Sequence, residues 1–213
     1  DGGGSLICRL SVFGRHYNQM TSKLIWKASR RTFDLRKRPL VMGILNITPD
    51  SFSDGGRFAA ADDAFRQAEQ MISEGADIID IGGESTRPGS SRVPPDEEAA
   101  RVIPVIEAAA ARFDVPISID TTKSEVAAAA LAAGAEIVND ISGLRFDPKI
   151  AGCVAETGAG LVLMHSRGNF ENMHSQPPVT DIFEEVRSDL ARSIAGAEYV
   201  GVSRDCIALD IGI

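Results

Sequence analysis

Six short apolar stretches of this chain each end on a hydrogen-bonding residue or a glycine-rich turn: Asn46, Gly82 with Gly83 and Glu84, Asp120, Asn139, His165 and Asp210. Carboxylates accept hydrogen bonds, carboxamides both donate and accept, and an amide oxygen can also ligate a hard cation. For any single Asn or Asp the helix N-cap reading outweighs the catalytic one, because a short polar side chain there satisfies the first free N–H groups of a helix. Six at corresponding positions shift the balance toward a site.

Two long polar segments accompany them. NITPDSFSDGGRFA (46–59) and GGESTRPGSSRVPP (82–95) each place about a dozen residues between strand and helix, where two to six are usual. In the second, Ser85, Thr86 and Arg87 bring two hydroxyls and a guanidinium beside glycines that let backbone N–H groups approach a ligand, which suits a phosphate or diphosphate. In the first, Pro49, Gly55 and Gly56 form turns by themselves, and a surface loop with solvated Asp50 and Asp54 is the competing reading.

The elements that must position these residues alternate. Strands are expected at 40–46, 77–82, 115–120, 135–139, 160–165 and 206–211, with helices near 62–74, 96–111, 123–133, 148–157 and 181–199. Gly75 and Gly134 stand where a left-handed C-terminal cap needs a residue without Cβ. Repeated βα units imply an α/β fold with a parallel sheet. Neither GxGxxG after the first strand nor GxxxxGK[ST] occurs, so a TIM-type (β/α)8 barrel, here with about six βα units, is the better architecture, and it puts chemistry at the C-terminal ends of its strands.

Composition closes off other classes. With 22 Lys+Arg against 30 Asp+Glu the net charge is −8, and the one basic cluster, Arg30 to Arg38, lies near the N-terminus, so the charge argues against nucleic acid as a partner. The hydrophobic share of 44% suits one folded core. No apolar run reaches the 18 residues of a membrane span, and no secretory leader is legible before Arg9, Gly14, Arg15 and His16. The three cysteines, Cys8, Cys153 and Cys206, are too scattered for a disulfide framework, which points to a reducing, cytoplasmic setting. Residues 1–23 are set apart as a poorly ordered N-terminal extension, and 24–213 as the barrel domain.

NITPDSFSDGG (46–56), IDIGGESTRPG (79–89), SIDT (118–121), NDISG (139–143) and LMH (163–165), in this order, resemble the dihydropteroate synthase family over about residues 24–213. The resemblance implies a transferase in which 4-aminobenzoate displaces diphosphate from (7,8-dihydropterin-6-yl)methyl diphosphate. Its motifs imply that Asp120 faces the pterin and favours positive charge on it, and that Asn139 bonds the pterin edge. Asp210 would accept from the 2-amino and ring N–H donors, and Met164 would lie against the ring face. Thr86 and Arg87 would bind or cover the diphosphate. Phe52 and Asp54 in the first loop and Pro88 in the second would shape the aminobenzoate pocket, and Asn46 would ligate Mg²⁺. The partners implied are these small molecules, a homodimer where the barrel is complete, and competing sulfonamides.

Because an aryl amine is already neutral at pH 7, attack needs no strong base, and His165 is expected to have a positional or core role. His16 and His174 read as solvated, Glu84 as a turn acceptor, and Cys153 and Cys206 as buried thiols. Two other readings stand beside the synthase. A methyltetrahydrofolate methyltransferase domain also binds a pterin but lacks so close a first loop, and an inactive barrel fragment is the third. The family's sixth strand ends in a DPG-type string, whereas Asp210 is followed by Ile211, Gly212 and Ile213. Six strands do not close an eight-stranded barrel, so the 213 residues alone are expected to have little synthase activity.

Overall fold

In chain order the elements are β1 (Ile7–Arg9), β2 (Ile25–Ala28), β3 (Arg31–Asp34), β4 (Val41–Asn46), α1 (Gly56–Ser73), β5 (Ile78–Gly82), α2 (Pro95–Arg112) and β6 (Ile117–Asp120). There follow α3 (Ser124–Ala132), β7 (Ile137–Asp140), α4 (Ile150–Thr157), β8 (Gly160–Met164), α5 (Ile182–Tyr199) and β9 (Ile207–Asp210). They are seen in a computed structural model that describes residues 7–9, 24–47, 56–85, 90–173 and 175–212.

Strands β4 to β9 pair in parallel in sequence order, each pair linked by a helix, so the six expected strands are present with five helices between them, which makes five βα units and a sixth strand where about six units were expected. The expected strands and helices fall within a few residues of those observed. The largest shift is α1, which begins at Gly56 rather than 62 and takes in the end of the segment read as the first loop. Gly75 and Gly134 have φ of 107° and 111°, the left-handed backbone that ends a helix without a Cβ clash.

The register assigns every strand residue to one of two faces. Leu45, Ile79, Ile81, Ile117, Ile119, Val138, Leu161 and Leu163 lie under the helices, packed on Val102, Ile106 and Ala109 of α2 and on Val126, Ala127 and Ala130 of α3. Their alternates face inward: Met42, Ile78 and Ile137 near the strand starts, then Asp80 and Ser118, then Asn46, Gly82, Asp120 and Asn139 at the strand ends. Apolar residues thus fill the floor of the inner face and polar ones its top.

No strand was expected before residue 40, yet β2 and β3 form a hairpin that closes the floor. Trp26 and Ala28 are buried with Leu40, Met42, Ile78, Ile137 and Val162, and the Trp26 indole N–H donates to the Cys206 carbonyl at 2.9 Å. Gly160 makes the approach feasible, since a Cβ there would sit 3.0 Å from the Ala28 methyl and 3.2 Å from the indole. Arg31 ties the hairpin to the buried Glu136 at 3.0 Å. Residues 1–23 were expected to stand apart from the barrel; within them, Ile7–Arg9 lies antiparallel on β4.

Candidate active site

The polar residues of the inner face converge because parallel pairing keeps equivalent positions level. Asn46 pairs with Gly82, Gly82 with Asp120, and Asp120 with Asn139, which makes one row across β4 to β7. Gly82 leaves a gap in that row. A Cβ on it would meet Asp120 Oδ2 at 3.4 Å and Asn46 Oδ1 at 3.5 Å, so the carboxylate and the carboxamide flank an open notch. Two residues further along the strands, Met164 and Asp210 form the next inward pair on β8 and β9. Asp210 Oδ1 accepts from the Gly212 N–H at 2.9 Å, which holds one oxygen and leaves Oδ2 for a ligand. Five of the expected site residues therefore share one mouth: Asn46, Asp120, Asn139, Met164 and Asp210. The other five, Phe52, Asp54, Thr86, Arg87 and Pro88, lie outside the described residues, as do His16 and His174.

The mouth is strongly acidic. Burial, then the negative charges of Asp80, Glu98, Asp140 and Glu84, push the Asp120 carboxyl well above the usual carboxylate range. Beneath the row, Asp80 is 1% exposed and its Oδ2 accepts from Asn139 Nδ2 at 2.9 Å, while its Oδ1 makes no hydrogen bond. Burial raises its carboxyl too, and the hydrogen bond from Asn139 opposes the rise. Such a pocket favours any group on which positive charge develops, and it repels an anion that arrives without a cation. The same oxygen-rich character suits a hard divalent ion at the notch beside Asn46.

Asp80 was not singled out from the sequence. A signal was present, because an acid two residues before Gly82 in an otherwise apolar strand must share Gly82's inward face. Asp140, the second residue of the NDISG string, serves the backbone instead. Its carboxylate accepts from the N–H groups of Ser142 and Leu144 at 2.8 and 2.7 Å, holding a turn in which Gly143 and Leu144 both have positive φ.

The base of the second loop is clamped by buried charge. Glu84 accepts from the Val93 N–H at 2.5 Å and from Lys123 Nζ at 2.9 Å, and Lys123 also pairs with the fully buried Glu98 of α2. Glu84 is thus more than a local turn acceptor: it joins both ends of the loop to the segment after β6. Arg92 donates to Thr122 at 2.9 Å and lies over the Phe146 and Phe170 rings. Arg92, Lys123, Phe146 and Lys149 line an open hollow of about 560 Å³ beside the mouth, and none of the five mouth residues borders it.

His165 follows β8 on the outward side, 5% exposed, with Nε2 3.5 Å from Asp189 Oδ2 and 4.0 Å from Glu185 Oε1. Arg167 and Arg192 already neutralise these two carboxylates, so the cluster docks α5 on the strand end. The positional role expected for His165 agrees with this geometry. Cys206 is buried and Cys153 half-buried, and burial raises both thiols.

The parallel strands in sequence order, with their helices outside and their polar ends gathered at one rim, define a (β/α)-barrel fold. The family profile described as pterin binding enzyme matches residues 42–213, and the chain belongs to that family. It is 50% identical over 181 residues to the dihydropteroate synthase of Synechocystis, covering 85% of this chain and 63% of that protein. Among solved structures, Xanthomonas albilineans dihydropteroate synthase with 4-aminobenzoic acid superposes with a TM-score of 0.80 at 42% identity, covering 90% of this chain and 67% of that one. Burkholderia cenocepacia dihydropteroate synthase complexed with 7,8-dihydropteroate gives 0.77 at 46% identity, covering 88% and 63%. The chain spans about three fifths of the length of these curated relatives.

Proposed function

We propose that this chain forms the pterin side of a dihydropteroate synthase, which joins 4-aminobenzoate to (7,8-dihydropterin-6-yl)methyl diphosphate. The aryl amine forms a C–N bond at the methylene, the C–O bond breaks with its electron pair leaving on diphosphate, and the new ammonium-like nitrogen releases a proton. The observation that carries this reading is the level row of Asn46, Asp120 and Asn139 about the notch at Gly82, with Met164 and Asp210 just above it.

Each residue has a task there. Asp210 offers Oδ2 to the amino edge of the ring, and Met164 lays a polarizable thioether on its face. Asp120, in a field of other acids, favours positive charge growing on the ring and methylene as the diphosphate departs. That acidic field requires the diphosphate to come with positive charge. Mg²⁺ at Asn46 Oδ1 would supply charge neutralisation when bound, and Thr86 and Arg87 would cover the diphosphate from the second loop. Phe52, Asp54 and Pro88 would complete the aminobenzoate pocket, the place where a sulfonamide would compete. A cytoplasmic homodimer belongs to the same reading.

The test is isothermal titration with a non-hydrolysable pterin diphosphate analogue, with and without Mg²⁺. Metal-dependent binding is the expected result, and absence of binding in both conditions would refute the proposal. Turnover should be measured on the chain extended to the length of its relatives by two further βα units. The 213 residues alone should show little, and equal turnover of the two would overturn that part of the reading.

A further inference from the structure

We propose that Asp80 is a positioning residue that holds the Asn139 carboxamide with Nδ2 inward and Oδ1 toward the mouth, so that the site selects a reduced pterin whose ring N8–H can donate to that oxygen. The inference rests on the pterin reading above and adds to it a residue and a basis for substrate selection.

A carboxamide has a donor end and an acceptor end of nearly the same shape, and its neighbours decide which faces a ligand. Here the neighbour is a carboxylate. Asp80 Oδ2 lies 2.9 Å from Asn139 Nδ2, and the opposite orientation would set Asn139 Oδ1 against an oxygen that only accepts. Asp80 cannot move aside, because it is 1% exposed and paired in register with Ile44 on one side and Ser118 on the other. Its other oxygen makes no hydrogen bond, and neither does the buried Ser118 hydroxyl beside it. A carboxylate buried to support the scaffold is expected to have both oxygens satisfied, whereas the one bond Asp80 makes to a side chain goes to a residue of the mouth. Its burial therefore serves Asn139.

The consequence for the ligand follows from where the two recognition groups stand. Asn139 on β7 and Asp210 on β9 stand on either side of β8, so with Asp210 on the amino edge Asn139 would meet a different part of the ring. The ring donor remaining there is N8–H, which a 7,8-dihydropterin carries. In the oxidised ring N8 is a bare acceptor, and it would face the Asn139 oxygen with no proton between them.

Isothermal titration of the chain with 6-hydroxymethyl-7,8-dihydropterin and with its oxidised counterpart tests this, using wild type and D80N. The wild type should prefer the reduced ring by roughly 10- to 100-fold, the range expected for a buried donor lost against a fixed acceptor. In D80N the new amide can present either end to Asn139, and the preference should shrink to about threefold or less. Equal wild-type affinities, or a preference that survives in D80N, would overturn the proposal. Binding of neither ring by wild type would overturn the pterin reading and this inference with it. Should D80N fail to fold, the wild-type ¹⁵N spectrum decides: the Asn139 side-chain N–H pair should be protected from solvent exchange, and rapid exchange would refute the assignment.

Discussion

Replacing Lys123 by Met tests whether buried charge clamps the second loop. Lys123 Nζ sits between Glu84 and Glu98, and the three side chains are 10%, 7% and 0% exposed. Glu84 keeps the Val93 N–H at 2.5 Å and Arg92 at 4.0 Å when the ammonium is removed. Glu98 keeps nothing, since Oε2 loses Lys123 and Oε1 already makes no hydrogen bond. A buried carboxylate stripped of its partner costs about 3–5 kcal/mol, as much as several exposed ion pairs combined. At about 2–4 °C per kcal/mol for a domain of this size, K123M should melt roughly 6–20 °C below wild type by circular dichroism. Adding E98L should recover most of the loss, because an apolar pair in place of a buried ion pair is often neutral or stabilising. An unchanged melting temperature in K123M, or a double variant no better than the single one, would show that Glu98 finds water or another partner and that the clamp is not built as described.

Asp120 links stability to pH with a definite sign. An unfolded Asp titrates near 4, whereas the folded carboxyl is held well above that, so between the two values the folded state binds a proton that the unfolded state has released. Stability therefore falls as pH rises through that window. D120N should raise the melting temperature at pH 8 more than at pH 4 while abolishing turnover, and a variant destabilised equally at both would contradict the electrostatic account. Gly82→Ala should fold almost normally, since its Cβ would make ordinary contacts of 3.4 and 3.5 Å. The methyl would fill the notch between Asn46 and Asp120, so titration should show at least about a tenfold loss of Mg²⁺-dependent pterin diphosphate binding, and unchanged affinity would place the ligand elsewhere.

Much of this barrel was legible before any coordinates. The strands were visible as apolar runs ending in Asn46, Asp120, Asn139 and Asp210, because a parallel strand buried on both faces reads as a short hydrophobic block. The glycine caps at 75 and 134 were visible for a similarly local reason. The hairpin of β2 and β3 was not. WKASRRTFD has its charges at 27, 30, 31 and 34, without the alternation of a half-buried strand, and its Trp26 is buried against residues far along the chain, with Gly160 leaving room for the ring.

The candidate site divides along the same line. Residue type and strand-end position determined which side chains could reach one mouth, since parallel pairing brings every strand end to one rim whatever the details. Tertiary packing alone decided what those side chains experience. Asp80 supports Asn139 across 59 residues of chain, Lys123 meets Glu98 across 25, and Asp140 is committed to its own turn. Periodicity reports the face a residue occupies, but the partner it meets there and the water it loses depend on contacts between distant segments.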